Sequence, residues 1–518
     1  MKSIYKILLL LSAVLILGMN ACEKDIPPKT QEPEIEDPEE ISLFIYEGLK
    51  DVYLWYDRVN KLENSYFNTT KDFYTYLNNF GTDYESLFED LLYARGTVDK
   101  WSWIVDDYEE LANSFSGISK SMGYDFRLVQ IYNSNDIFGY IRYVLPGSPA
   151  EDAGLQRGNL FLKVNGQQLT IDNYMELLFN TESYYLTLMT IETTEGGSVI
   201  VPGADTEVMN AVELQENPVY YTDVLDVGGV PTGYIVYNAF TSDFDVQLNE
   251  AFQDLKDQGV QRLILDLRYN GGGSIQTAIY LASMIYGTDD TKIFAKSEWN
   301  DKYNAYIISN YGADYLNYYF TDIIEKIEKD LEGNDIVVTY PINSLGISEL
   351  YVITSRSTAS ASELVINGLE PYFDVKLIGK STTGKYVGSV TVKDYYTREN
   401  LNPDHKWAMQ PIVLKITNSL GNPVDISAPD YVNGLPPDLE ASEDYKNLLP
   451  FGDENEPLLK ATIDYITGAK SARAKPALVE GVDYKVVADS RDFKPLSKEM
   501  YLEGDWWVKD KRGPSVKK

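Results

Sequence analysis

Ser357-Thr358-Ala359-Ser360-Ala361-Ser362-Glu363 crowds four hydroxyls just ahead of a helical run carrying Leu364, Val365 and Leu369. A hydroxyl at a helix start is ordinarily an N-cap. The same place suits a nucleophile, because helix N–H groups stabilise negative charge beside it. A serine nucleophile needs a base, and the chain holds one histidine, His405, in the loop Asn402-Pro403-Asp404-His405 with nothing beside it to recommend it. Lysine can serve when burial lowers its pKa from about 10.4 toward 7–8. The candidate is Lys385 in Thr382-Thr383-Gly384-Lys385, one strand past the helix. A third stretch, Asp266-Leu267-Arg268-Tyr269-Asn270-Gly271-Gly272-Gly273, runs from a strand through three glycines toward a helix. Glycines there let backbone N–H groups face a cavity, where they could hold a phosphate or a developing oxyanion. The phosphate reading fails, since no Lys-Ser/Thr follows and the spacing is not Gly-x-Gly-x-x-Gly. Taken singly, each stretch is equally a cap or a tight turn.

Such groups meet only if strands and helices bring them together. From 201 to 450 compact apolar strands (Gly233–Tyr237, Arg262–Leu267, Leu350–Thr354, Val375–Gly379) alternate with helical patterns (Asp245–Gln258, Ser274–Tyr286), which predicts an α/β core. Residues 41–112 form a helical, aromatic-rich domain, with Ile45, Leu49, Val52 and Tyr56 on one helix face. Residues 113–200 turn to short β runs with one helical insert. There, Pro146-Gly147-Ser148-Pro149-Ala150 through Leu160-Phe161-Leu162-Lys163-Val164-Asn165-Gly166 closely resembles the signature of a PDZ domain. Such domains add a peptide as an extra strand on a sheet edge. That resemblance makes Gly123, Tyr124 and Phe126, at the carboxylate loop, the expected peptide-binding residues. Asp125 stands where the familiar loop has a glycine, and it would repel a terminal carboxylate. Residues 451–518 offer one helix (Leu458–Thr467) and an irregular remainder, read as a docked or disordered tail.

The chain has 518 residues, 44% hydrophobic and 24% charged, with apolar material for a sizeable core. Asp and Glu number 79 against 45 Lys and Arg, a net charge of −34. So acidic a surface repels phosphate backbones, and no nucleic-acid partner is expected. One Cys and one His exclude a disulfide framework and a zinc site built on those residues, and no metal or cofactor is expected. Residues 1–22 read as a signal: Lys2 and Lys6 precede apolar Ile7–Gly18, which is too short to span a bilayer comfortably. Met19-Asn20-Ala21-Cys22 resembles a bacterial lipoprotein cleavage site, with Cys22 the lipidated residue, so a membrane partner through an N-terminal lipid anchor in the cell envelope is expected. Residues 23–40, acidic and proline-rich, make an extended tether, and resemble the export signals of Bacteroides-type surface lipoproteins.

Together the three stretches resemble the tail-specific, or carboxy-terminal processing, proteases, serine peptidases with a Ser–Lys dyad. Ser360 and Lys385 stand 25 residues apart, as in that family, Asp266–Gly273 matches its Asp-Leu-Arg-x-Asn-x-Gly-Gly motif, and Gly434-Leu435-Pro436-Pro437-Asp438 its late motif. The resemblance implies a multidomain α/β protein: an N-terminal helical domain, a PDZ-like β domain and a crotonase-like serine protease core. It implies Ser360 as nucleophile, Lys385 as general base, and an oxyanion hole from the N–H groups of Ala361, Gly271 and Gly272. It implies protein or peptide substrates, taken as unfolded or C-terminal segments. Ser389 stands where many relatives have the glutamine that orients the lysine, and Tyr386 replaces a glycine. Two other readings are an inactive peptide-binding lipoprotein on the same fold and a glycan-binding surface protein drawing on the 41 tyrosines.

Overall fold

The computed structural model describes residues 36–131, 133–194, 197–330, 332–397, 400–424, 434–469, 484–493 and 497–506. Cys22, the signal and most of the tether lie outside these residues.

The N-terminal part is helical: α1 (Glu40–Val52), α2 (Thr70–Asn78) and α3 (Tyr84–Asp90). α1 buries Ile45, Leu49 and Val52, the face its spacing predicts, and ends before Tyr56. α2 starts on a capping box in which Thr69 and Asp72 satisfy each other's backbone N–H groups.

The PDZ-like sheet contains β1 (Tyr124–Ile131), β2 (Ile137–Val144), β3 (Leu160–Val164), β4 (Leu186–Thr194) and β5 (Gly197–Asp205), paired antiparallel in that order. The short helix α4 (Tyr174–Leu178) belongs to the same domain. Asn165-Gly166 makes the expected tight turn, both residues at positive φ.

The α/β part is built on β6 (Val219–Val227), β7 (Val230–Tyr237), β8 (Arg262–Asp266), β9 (Leu350–Thr354) and β10 (Val375–Gly379), with α5 (Asp245–Asp257), α6 (Ile275–Tyr286) and α7 (Ala361–Leu369) among them. From β7 to β10 the strands are parallel. Their near-continuous apolar runs follow, because parallel strands are covered on both faces. α6 and α7 pack against each other, and their apolar faces join one core with Leu263, Leu265 and Val352. A second sheet contains β11 (Val387–Lys393), β12 (Ala408–Gln410) and β13 (Ile412–Asn418); Trp103–Val105 of the N-terminal part pairs with β12.

The C-terminal part differs from the irregular tail expected of it. After α8 (Pro457–Thr467), β14 (Tyr484–Asp489) joins the PDZ-like sheet beside β1, and β15 (Met500–Trp506) joins the second sheet beside β11. Neither strand alternates polar and apolar residues cleanly, so nothing local announced them.

Candidate active site

Ser360, Lys385 and the glycine loop each follow the end of a strand of the parallel sheet, whereas Ser389 lies within β11 of the second sheet. Beyond β9 the chain turns sharply into α7, and Ser360 occupies the turn with φ 66° and ψ −117°. A non-glycine residue at positive φ is strained, and such strain persists where the surroundings over-determine it. Ser360 is fully buried, and its Oγ makes no hydrogen bond among the described residues.

Glu363, one turn into α7, holds the turn to the lysine loop. One carboxylate oxygen accepts the Ser360 N–H (2.8 Å) and the Lys385 N–H (2.9 Å). The other accepts the Gly384 N–H (2.6 Å) and the Thr382 hydroxyl. The backbones of the serine and the lysine therefore converge on a single oxygen. Sequence reasoning placed Glu363 inside the motif without giving it a task. The Thr383 N–H donates to Thr358 O (2.9 Å), a second tie between the loops. A Cβ on Gly434 would fall 2.2 Å from Thr382 Oγ1, which explains the glycine of the late motif. Asp438 of that motif accepts the Leu377 N–H (2.9 Å) and so fixes the strand leading to the lysine.

The glycine loop lies against the same turn. A Cβ on Gly272 would sit 2.6 Å from the Ser360 Cβ and 3.0 Å from the Ala361 nitrogen, so only glycine permits this approach. Asn270 links the two, its carbonyl accepting the Ala359 N–H (3.1 Å) and the Ser362 hydroxyl (3.2 Å). The Gly272 N–H is taken by Asn270 Oδ1 (2.9 Å), while the Gly273 N–H, outside the expected set, holds the Glu499 carbonyl (2.6 Å). Asp266 and Arg268 of the same motif are structural: Arg268 is buried in ion pairs with Asp266, Glu443 and Glu456.

Lys385 is fully buried. Its ammonium donates to Lys498 O (2.7 Å) and Glu499 Oε2 (3.2 Å) and lies 5.2 Å from the Trp101 ring centre. Burial pushes the lysine below its ordinary range, while the Glu499 carboxylate pulls the other way. Ser389 Oγ lies 3.1 Å from the same Glu499 oxygen and accepts from Gln410 Nε2 (3.1 Å), so Ser389 reaches the lysine only through Glu499. Glu499 and Gln410 are parts of the site that sequence reasoning missed; β12 brings the glutamine in, and no local signal could have said so. His405 stands apart, with Asp394 (3.3 Å) and the Phe44 ring. Among the described residues no group of three or more His, Cys, Asp or Glu side chains could hold a metal ion.

The expected peptide-binding residues are engaged within the chain. A Cβ on Gly123 would fall 2.1 Å from the Ser148 Cβ; Tyr124 OH is 2.8 Å from Tyr184 OH; the Phe126 N–H donates to Ser490 Oγ (3.0 Å). Asp125, expected to repel a carboxylate, is ion-paired with Arg142 and with Arg491 (3.0 Å).

With this geometry in hand, comparison with known proteins is direct. The profile of peptidase family S41 matches residues 231–406, that of the S41 N-terminal domain residues 40–103, and that of the PDZ domain residues 140–182. Over residues 231–406, from β7 into the second sheet, the chain is similar to peptidase family S41. It is 26% identical over 256 residues to the chloroplastic C-terminal processing peptidase of Tetradesmus obliquus, covering 46% of each chain. It is 26% identical over 287 residues to a carboxyl-terminal-processing protease of Picosynechococcus, covering 54% of this chain and 58% of that one. The chain thus spans about half the length of these curated relatives. A crystal structure assigned to the S41 proteases, from Bacteroides fragilis NCTC 9343, superposes with a TM-score of 0.60 at 26% identity, covering 85% of this chain and 99% of that one.

Proposed function

We propose that this protein is a serine endopeptidase acting on protein or peptide substrates in extended conformation, with Ser360 as nucleophile and Lys385 as general base. The observation that carries the reading is the junction at Glu363: one buried carboxylate binds the backbones of a strained, buried serine and a buried lysine beside a glycine loop. In the reaction neutral Lys385 takes the Ser360 Oγ proton as the oxygen attacks the peptide carbonyl carbon. Backbone N–H groups of Ala361 and Gly271 hold the resulting oxyanion, each worth about 3–4 kcal/mol, since the Gly272 N–H is engaged by Asn270 Oδ1. The C–N bond breaks, the amine leaves with the proton from Lys385, and an acyl-enzyme remains. Water, giving its proton to the same lysine, then releases the acid and restores Ser360.

Substrate capture on Gly123, Tyr124 and Phe126 would require β14 to leave the β1 edge, so we place substrate entry at the catalytic cleft. We also propose that Cys22 carries a lipid that anchors the protein in the cell envelope; Cys22→Ser should abolish incorporation of labelled palmitate.

The peptidase reading is tested by mass spectrometry of an unfolded protein incubated with residues 23–518, beside Ser360→Ala and Lys385→Ala proteins. Fragments present with the parent and absent with both variants are expected. Fragments that persist with Ser360→Ala would remove Ser360 from the mechanism.

A further inference from the structure

The chain's own C-terminal segment lies along the path a peptide would take. β14 adds antiparallel to β1, with Tyr484 opposite Ile131 and Asp489 opposite Arg127. Ala488 is buried in the domain core with Phe126 and Leu178, and the Phe493 ring packs 4.2 Å from that of Phe179. Strand addition on a sheet edge is how such a domain takes a peptide. Here the edge is filled, and ion pairs lock it: Asp489 with Arg127 and buried Arg142, and Arg491 with buried Asp125.

Farther on, the backbone crosses the catalytic centre. A Cβ on Gly271 would meet Ser497 O at 1.8 Å, and one on Gly272 would meet Glu499 O at 2.4 Å. β15 then runs parallel to both Gly273–Ser274 and β11, with Met500 opposite Gly273 and Tyr501 opposite Ser389. The Lys385 ammonium faces Lys498 O and the Glu499 carboxylate, while Ser360 lies fully buried against the same glycine loop. A strand that served only to extend the sheet would need β11 alone. This one also lays its carbonyls on the glycine loop and its carboxylate on the base.

We infer that residues 497–506 are a built-in peptide ligand of the catalytic cleft, anchored by residues 484–493 on the PDZ-like domain, and that the protein is latent until this strand leaves the cleft. The two halves are held differently. Withdrawing the anchor would break three ion pairs, Asp489 with Arg127 and Arg142 and Arg491 with Asp125, and leave buried Arg142 and Asp125 their mutual pair, which is unfavourable. Withdrawing the cleft half breaks one buried ion pair, Lys385 to Glu499, the partly exposed Lys498–Asp492 pair, the hydrogen bonds of Trp103 and Ser389 to Glu499, and a strand edge. Release therefore occurs at 497–506 with the anchor in place. The occupied cleft also defines how a substrate sits: an extended peptide parallel to β11, one carbonyl on the Gly273 N–H. What the cleft does to its ligand rests on the peptidase reading; what fills it does not.

The test uses the full chain and a fluorescein-labelled peptide with the sequence of residues 497–506. Two variants loosen the strand through different contacts: Met500→Lys charges a fully buried side chain opposite Gly273, and Tyr501→Lys charges a side chain now buried 4.2 Å from the Phe115 ring. In a Ser360→Ala background both should bind the peptide at least about tenfold more tightly than Ser360→Ala alone, since the parent cleft is mostly occupied. With Ser360 present, both should cleave an unfolded protein at least about tenfold faster than the parent. Equal peptide binding by all three proteins overturns the inference, as does slower cleavage by both variants, which would make β15 a support of the catalytic sheet. Peptide binding gained without cleavage by any protein leaves the occupancy standing and removes the peptidase reading. Cleavage by the parent with no gain in either variant does the reverse. One further measurement needs no substitution in the strand: excess unlabelled peptide added to Ser360→Ala protein should speed amide exchange across residues 497–506, and unchanged exchange would count against displacement.

Discussion

The Lys385 ammonium sits between burial, which favours its neutral form, and the Glu499 carboxylate, which favours the charged form. A general base works only when neutral, and the neutral fraction grows as pH rises through the lysine pKa. The rate constant kcat/KM should therefore climb from acid toward alkaline pH along a single limb. Glu499→Gln removes the charge that holds the proton on Lys385, so the same limb should move to lower pH. Rates on a peptide substrate across pH 5 to 10, for parent and variant, check this; a limb that stays in place would mean that Glu499 does not set the lysine's protonation. A second expectation concerns Gly272, whose φ is 111° and whose Cα faces the Ser360 Cβ and the Glu499 carbonyl. Gly272→Ala should lose activity by about 100-fold or more, because an ångström of displacement at the nucleophile is enough for that. Circular dichroism of the variant should stay close to that of the parent, which separates a local effect from unfolding.

Between elements, Glu363 is the joint. It is buried, it belongs to α7, and three of its four donors come from the loop after β10. An amide in its place offers one accepting oxygen and sets an NH2 group against donors. Glu363→Gln should therefore lower stability by about 1–3 kcal/mol, the cost of buried donors left without acceptors. It should also reduce kcat more than it raises KM, since the groups displaced are the proposed nucleophile and base. Urea unfolding and steady-state kinetics check both; an unchanged kcat would show that the Thr383–Thr358 bond holds the loops unaided. Much of this frame was legible in the sequence. β9 and β10 fall on the apolar runs that announced them, and α5 and α6 on their helical patterns within a residue at each end, because each buries a face that its own spacing defines. Lys385 was legible as a candidate from its position one strand past the serine-rich helix start, but the tie between the two loops was not, since it depends on a third residue, Glu363, whose hydrogen bonds leave no mark in spacing. β14 and β15 were not legible. Phe126 receives Ser490, and Gly273 receives Glu499, from far along the chain; such strands are specified by the edges they meet, and local alternation is not required of them.

Across the whole molecule, one buried charge cluster joins parts that the sequence keeps far apart. Arg157 comes from the PDZ-like domain, Arg268 from the glycine-loop motif, Glu443 from the end of the α/β core, and Glu456 from the C-terminal part. Burial alone would raise the Glu443 carboxyl, but Arg157 and Arg268 hold it down to about 2 from an ordinary 4.5. A carboxylate whose folded pKa is depressed contributes stability that is complete above its unfolded pKa and is lost as pH falls through the folded value. The Glu443 contribution should therefore persist at neutral pH and vanish between 4.5 and about 2. A second trend runs against it, because the net charge of −34 shrinks as carboxylates protonate and self-repulsion relaxes. The parent's stability curve mixes the two. Arg157→Met separates them: it removes one cation from the cluster and leaves the surface carboxylates untouched. The variant should unfold at lower urea than the parent at pH 7, and the gap should narrow as pH falls below about 4.5, where Glu443 protonates even in the unfolded chain. Urea midpoints of both proteins from pH 7 to about pH 3 give that difference directly. A gap that stays constant over this range would mean that Arg157 contributes by packing on Phe451, 4.2 Å beneath its guanidinium, and not by its charge.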